Sequence, residues 1–459
     1  MPQGIAYGHQ VSSRIFPALV ALAAASLLVQ GCSSASASTA TRTAPTTAPS
    51  PQVSLTARSA SVQTCATKPA LFSAYDRGGL FAVAGAKLDA AADFNPRKYP
   101  IGALTEESSY DRTRAKAWTS GFFPSSLWLM YQRTGEKEWL KKARTWSKAL
   151  VPLAEWEGTH DLGFMVGIPM ELGMRLDPSA KKRAEYRTSF LDAARSLSTR
   201  WNPNVKAIQS GTYDGQWGLI VDSAMNAPLL IEAGMILGGT EGAELRSRGE
   251  QHLMTLINTF IRDDGSTFHR MTFDPITGAL IGPVAGQGMG IDSTWSRGQA
   301  WAIFGFARAY QLTRTQAFLD AAENTARFWM THLDAQCVPA WDFDAAPGSP
   351  RDSSASAIAA NGFILLGQFA KQQQLRTAAY EPYARTMLHT ISTLPVLAKD
   401  SANPGVLLQQ TLNVNKTPKE GSYVWGDTFV LMAGINALYS GSNATTDYTS
   451  SVTSGLTIG

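Results

Sequence analysis

Charge is scarce in this chain. Asp, Glu, Lys and Arg make up 17% of its 459 residues, against about 25% in an average soluble protein. No acidic residue occurs in the first 66 positions, which carry Arg14, Arg42 and Arg58. Taking those three charges from the formal net charge of +4 leaves +1 for the rest. That balance argues against a nucleic-acid partner read through a broad basic surface. Histidine is scarcer: six residues with no HxH or HExxH spacing, so a zinc site has no basis in the pattern. There is no Gly-rich phosphate-binding loop, no G-x-S-x-G elbow and no setting for a nucleophilic thiol among three cysteines. The common phosphoryl-transfer, serine-hydrolase and thiol routes are thereby set aside. The chain does carry 44% hydrophobic residues, with 12 Trp, 13 Tyr and 19 Phe. That content excludes a mainly disordered protein and supplies a sizeable core, in one large domain or about three smaller ones.

Arg14 precedes an apolar run over 15–29, too short for an ordinary membrane span. The run ends in Val29, Gln30, Gly31 and Cys32. It reads as a targeting segment and resembles a bacterial lipobox, cleaved before Cys32 with lipid attached to the thiol. The expectation is a lipoprotein signal peptide over 1–31 with Cys32 lipidated. An ordinary signal peptide with an incidental Cys is the other reading. Residues 32–66, rich in Ser, Thr, Ala and Pro, read as a flexible tether. Ser33 carries no signal for inner-membrane retention, so the expected location is the periplasm or cell surface, anchored in the outer membrane. Cys65 and Cys337 either pair in an oxidising compartment or remain two free thiols. No second run is long enough to span a bilayer.

Helical patterns broken by prolines fill 67–440, and strand alternation is rare. Two segments repeat one another. Trp118, Gly121, Tyr131, Thr134, Trp139, Leu140 and Ala143 parallel Trp295, Gly298, Tyr310, Thr313, Phe318, Leu319 and Ala322, with the same intervals from Trp to Gly, Tyr to Thr, Thr to aromatic-Leu and Leu to Ala. Such self-similarity indicates a repeated helical hairpin. Helices of the same small-plus-aromatic character begin near Gly163, Asp222, Ser353 and Gly426. Each of the six follows a more amphipathic helix, near 79–92, 137–151, 179–200, 241–262, 315–333 and 377–395. The first set suits a buried inner layer and the second an outer one. The expectation is all-α: a single-domain (α/α)6 toroid, with an open solenoid as the alternative. The tail, 441–459, reads as loose.

The notable polar residues sit where inner helices begin: His160 and Asp161, Asp222, Trp295, Arg297 and Gln299, Asp342, Asp344, Arg351 and Asp352, and Asp427. In a toroid of parallel inner helices these ends meet at one mouth, where helix N-termini favour anions. Asp222 stands in an apolar run from Gly218 to Leu230. A carboxyl there is either paired or raised in pKa, which suits a general acid. A helix cap is the structural alternative for both Asp222 and Asp161. Arg297 between aromatics suits a carboxylate clamp or a structural ion pair. Trp118, Trp295 and Trp301 can stack on sugars or fill the core.

These motifs occur in a recognisable order. They are Trp118 to Pro124, His160 to Phe164, the Asp222 segment, Asp264 to His269 with Phe273 to Gly278, Gln287 with Asp292 to Trp301, Trp341 to Phe343 with Arg351 to Ser356, and Trp425 to Asp427. Across about residues 75–440 the chain resembles the unsaturated glucuronyl hydrolases, glycoside hydrolase family 88. The resemblance implies an (α/α)6 barrel, no metal and no cofactor. It also implies a glycosidase acting on lyase-generated oligosaccharides with a 4,5-unsaturated uronic acid at the non-reducing end. Such an enzyme hydrates the double bond. Asp222 would protonate C4 and help activate water for C5, and the hemiketal would collapse to release a keto sugar. Carboxylate spacing rules for inversion or retention do not apply to this route. Asp161 matches the second carboxylate, holding sugar hydroxyls and the Asp222 proton. His160, His269, Gln287 and Arg297 match residues lining the unsaturated-sugar subsite, with Arg297 on the substrate carboxylate. Trp118 and Trp301 match stacking residues, and Phe164 packs at the same ring.

Met289, Gly290 and Ala227 depart from the family pattern and bear on pocket shape. Lys416 and Lys419 lie in a loop that reads either as solvated or as meeting sulfate on the next sugar. Two rival functions remain: an unsaturated rhamnogalacturonyl hydrolase of family 105, acting on pectin or ulvan fragments, and a non-catalytic glycan-binding surface lipoprotein. The adjacent Asp161 and Asp222 disfavour the second. The expected partner is the oligosaccharide alone, with a monomer as the default and membrane contact only through the lipid.

Overall fold

The computed structural model describes Cys65 and residues 79–373, 380–393 and 395–439. The expected signal peptide over 1–31 with Cys32, the expected 32–66 tether apart from Cys65, and the expected 441–459 tail lie outside the described residues.

Helices alternate between two layers. The outer ones are α1 (Leu80–Ala92), α3 (Lys137–Ser147), α5 (Ala180–Ser198), α8 (Gly239–Phe260), α10 (Gln316–His332) and α12 (Tyr380–Ile391). Each presents one apolar stripe; α10 buries Phe318, Leu319, Ala322, Ala326 and Trp329, at helical spacing. The inner ones are α2 (Phe122–Thr134), α4 (Ile168–Leu176), α6 (Ser223–Asn226) continued by α7 (Pro228–Leu237), α9 (Ser296–Thr313), α11 (Ser353–Gln373) and α13 (Val424–Tyr439). In α9 every residue from Ser296 to Gln311 is buried, as the lack of a polar face requires.

The repeat noted in the sequence is a shared corner. After α2, the Gly135 N–H returns to Tyr131 O at 2.8 Å and Glu136 N–H to Thr134 Oγ1 at 3.2 Å. After α9, the Arg314 N–H returns to Tyr310 O at 2.8 Å and Thr315 N–H to Thr313 Oγ1 at 3.1 Å. Both first residues are left-handed, Gly135 at φ 72° and Arg314 at φ 60°. The Thr hydroxyl thus occupies the amide that turns each chain into its outer helix.

The ring closes. Thr428 Oγ1 of α13 lies 2.8 Å from both Phe122 O and Ser126 Oγ of α2, and the Phe122 and Phe429 rings meet at 5.8 Å. Strand β9 (Gly421–Tyr423) pairs antiparallel with β1 (Tyr99–Leu104), which also pairs with β2 (Asp111–Thr113). The toroid reading therefore holds over the open solenoid. Cys65 and Cys337 form a disulfide, which answers the question their spacing left open.

Two features depart from the all-helical expectation. The second inner helix opens with a π turn, Gly163–Gly167, before α4, a wide turn common at functional sites. The loops also build a small sheet. Strands β5 (Gly211–Tyr213), β6 (Gln216–Ile220), β7 (Arg270–Phe273) and β8 (Leu280–Val284) lie side by side in that order, after a short β3–β4 pair (Trp201–Asn202, Ala207–Ile208). Their runs are too short and too broken by Gly and Pro for alternation to reveal them.

Candidate active site

The β6–β7 pairing builds the centre of the mouth. Ile220 stands opposite Arg270, and the Val221 N–H donates to His269 O at 3.0 Å. The next residue, Asp222, leads into α6 with His269 beside it, Nε2 lying 3.7 Å from Asp222 Oδ2. Asp222 holds the cap position of α6, yet its side chain makes no capping hydrogen bond. It is 7% exposed, and Oδ2 is buried without a hydrogen-bond partner among the described residues. Burial first, and the Asp161 charge second, push its carboxyl up to about 7; Arg297 and Arg270 oppose the shift. A carboxyl that keeps its proton up to about neutrality has one to give.

His269 is locked in one tautomer. Its Nδ1 accepts the Gln287 N–H at 2.7 Å, so its own proton sits on Nε2, facing Asp222. Burial, then Arg270 and Arg297, hold the ring well below its usual pKa, so it is a neutral donor. The 286–287 loop comes so close that a Cβ on Gly286 would lie 1.8 Å from His269 Nδ1. Only glycine fits there.

Asp161 stands across from Asp222. It does not cap the helix that follows. The Asp161 N–H donates to Thr159 Oγ1 at 3.1 Å, and His160 Nε2 lies 3.5 Å from Asp161 Oδ1. Asn226 ties the two aspartates together. Its Nδ2 donates to Asp161 Oδ1 at 3.5 Å and to the Asp222 carbonyl at 3.4 Å, while its Oδ1 accepts the Phe164 N–H at 3.2 Å.

A buried carboxyl raised toward neutrality, a second carboxylate and a neutral imidazole donor thus share one mouth. The sequence is 33% identical over 351 residues to an unsaturated glucuronyl hydrolase of Formosa agariphila, spanning 73% of this chain and 85% of that protein. The chain belongs to the unsaturated glucuronyl hydrolases. A second relative, from Bacillus sp. strain GL1, bears the same name and is 31% identical over 328 residues, 69% of this chain and 85% of its own. Among solved structures, an unsaturated glucuronyl hydrolase specific for heparin superposes with a TM-score of 0.71 at 27% identity, covering 78% of this chain and 95% of that one. Another, recorded with dGlcA-Glc-Rha-Glc, gives 0.69 at 26% identity, covering 78% and 94%. No family model matches the chain. Like its relatives, the protein is a glycosidase on an (α/α)6 barrel.

The other residues picked from the sequence as an unsaturated glucuronyl hydrolase site converge here, in unequal roles. Trp118 is half-buried and packs on Trp425, Phe122 and Phe164 at 5.1, 5.7 and 6.0 Å. Phe164 and Trp301 touch at 5.1 Å and are fully buried. They form the floor beneath Trp118 rather than an open platform. Arg297 is also buried. It pairs with Asp352 through Nη1, which also reaches Thr411 O at 2.6 Å. Nη2 reaches Leu412 O at 2.7 Å and Gln287 Oε1 at 3.3 Å. The guanidinium is therefore engaged inside the protein, between Trp295 and Trp425, and holds the 411–412 segment to the mouth.

Several polar residues at the inner-helix starts are framework. Asp342 accepts from Met289 N–H and Ser293 Oγ. Gln299 bonds Gly265 O and Thr325 O. Arg351 pairs with Asp334, and Asp427 accepts the Val406 and Leu407 amides at 3.0 Å. Lys419 pairs with Glu106 on the surface. Asn226 and Trp425 escaped the sequence reading, although the motif containing Trp425 was visible.

Proposed function

We propose that this protein, a member of glycoside hydrolase family 88, hydrates the 4,5 double bond of a non-reducing-end unsaturated uronic acid. The supporting observation is the Asp222 carboxyl: buried, raised to about 7, with Oδ2 making no hydrogen bond among the described residues. The vinyl ether is weakly basic at C4. Protonation there by Asp222 leaves an oxocarbenium-like ion centred on C5. The Asp161 charge stabilises that ion and, beforehand, keeps the proton on Asp222. Asp222, now a carboxylate, draws a proton from the water that adds to C5. The hemiketal then collapses, the glycosidic bond breaks, and the uronate leaves as an open-chain keto sugar.

His160, His269, Gln287 and Arg297 serve the unsaturated sugar. A substrate carboxylate reaching Arg297 Nη2 takes the place of Gln287 Oε1, the longest of its contacts. Trp118 carries the open stacking face over Phe164 and Trp301. The oligosaccharide recorded with one solved relative supports this substrate class. The arrangement of acid, second carboxylate and imidazole has no use in a passive glycan binder.

The Cys65–Cys337 disulfide suits an oxidising compartment. With the lipobox-like sequence it supports export as a lipoprotein, lipidated on Cys32 and held at the outer membrane. Radiolabelled palmitate incorporation that disappears in Cys32→Ser tests that placement. For the reaction, loss of the conjugated enol-ether ultraviolet band from lyase-generated disaccharides is the expected result. An intact band on every substrate tried contradicts it.

A further inference from the structure

Behind the two aspartates lies a small pocket with no place in the reaction described above. His160, His252, Ser223 and Asn226 line it, with Leu197 and Ile208. The space open to the centre of a water molecule is about 10 Å³, the scale of one water.

His252 reaches this pocket from α8 in the outer layer and is 1% exposed. Its Nδ1 accepts the Ile208 N–H at 3.0 Å. A ring nitrogen that accepts carries no proton, so the His252 proton is on Nε2. Burial, then His160, push His252 down to about 3, so the ring is neutral. Across the pocket, His160 Nδ1 is buried with no hydrogen-bond partner among the described residues. The other nitrogen of His160, Nε2, faces Asp161 Oδ1 at 3.5 Å. Ser223 Oγ, held by Ser210 Oγ at 2.7 Å, adds a further polar group. One water here meets enough polar partners to be retained, whereas an empty pocket leaves buried polar atoms unpaired.

We propose that a single water in this pocket accepts from His252 Nε2–H and donates to His160 Nδ1, making His252 a positioning residue that holds His160 as the Nε2–H tautomer facing Asp161. The imidazole proton then points at the carboxylate rather than a lone pair. This favours the Asp161 charge, which in turn keeps the proton on Asp222. The groups facing His160 are Asp161, Arg200 and His252. Those facing Asp222 are Asp161, His269, Arg270, Arg297 and Tyr213. Of these, His252 reaches the aspartates through its pocket neighbours, His160 beside Asp161 and Asn226 bonded to both. The catalytic consequence rests on the function proposed above; the tautomer does not.

Two variants separate positioning from packing. His252→Asn keeps an acceptor for the Ile208 amide and loses the donor at the Nε2 position. His252→Gln restores a donor at the Nε2 position. The expected result is a kcat loss of about tenfold or more in His252→Asn, the scale on which outer partners of functional histidines act. The alkaline limb of kcat should move to lower pH by about one unit, with KM little changed, and His252→Gln should recover much of both. An Asn variant with the wild-type limb, or a Gln variant no better than Asn, overturns the proposal. A second measurement needs no turnover and reads the unaltered His252. Nitrogen-15 NMR of histidine-labelled wild-type protein, with His160 assigned by its loss in His160→Gln, should show Nε2 protonated and Nδ1 bare. A protonated Nδ1 on His160 overturns the proposal whether or not the enzyme acts on the expected sugar.

Discussion

The main-chain N–H of Gln287 donates to Nδ1 of His269 at 2.7 Å. This one bond decides which face of the imidazole meets Asp222. It fixes a neutral donor against the acid and ties the 286–287 loop to the sheet that carries His269. Gly286 makes the approach feasible, since any side chain there enters the ring. Gly286→Ala should therefore displace His269 and lower kcat/KM by ~10-fold or more, with a small change in melting temperature. Wild-type kinetics in that variant would show that His269 does not need its present seat.

Asp222→Asn should abolish turnover and leave the fold intact. The sign of its stability effect follows from the raised pKa. A group lifted from 3.8 to about 7 in the folded state contributes most below its unfolded pKa. That contribution is lost as pH rises through about 7. Asparagine does not titrate, so the variant should gain on wild type between about pH 4 and 8, by up to about 4 kcal/mol. Paired chemical denaturation curves at both ends of that range check it. A constant difference would mean that Asp222 is not raised.

Arg297 and Asp352 are a buried pair whose guanidinium also grips the Thr411 and Leu412 carbonyls. Removing one partner strands the other charge. Asp352→Asn should cost about 3–5 kcal/mol. It should also raise KM, because the 411–412 segment and Gln287 lose their anchor. Arg297→Ala, which strands the buried Asp352 carboxylate, should carry a stability loss of similar size, about 3–5 kcal/mol, and weaken substrate binding in the folded protein. Unchanged KM and kcat in Arg297→Ala would remove it from the carboxylate subsite.

The Cys65–Cys337 bridge joins positions 272 apart. Cys337→Ser should lower stability by about 2–4 kcal/mol and leave disaccharide turnover near wild type at 25 °C. A matching loss of kcat would place this bridge in the support of the site.

The barrel was readable because its two layers differ in composition. Inner helices such as α9 offer no polar face, whereas outer ones such as α10 carry one apolar stripe. Tyr131 and Thr134, with Tyr310 and Thr313, marked the hairpin corners. Asp222 was visible because a carboxyl in an apolar run demands an explanation. Its cap alternative fell only when the structure gave the side chain no capping bond. The β5–β8 sheet stayed hidden, since its strands are short and receive their register from tertiary pairing. Arg297 was found, but its partners were not: Thr411 and Leu412 offer carbonyls, which no side-chain pattern records. Asn226 and His252 are single polar residues on helices, and neither stands at a spacing that predicts what it touches.

The most direct test follows the ultraviolet absorbance of a lyase-generated unsaturated disaccharide with wild type and Asp222→Asn, from about pH 5 to 9. Proton donation by Asp222 predicts loss of the band in wild type, with kcat falling as pH rises through about 7, and no loss in the variant. Turnover by Asp222→Asn at the wild-type rate, or release of a uronate that keeps its double bond, would contradict hydration by this acid.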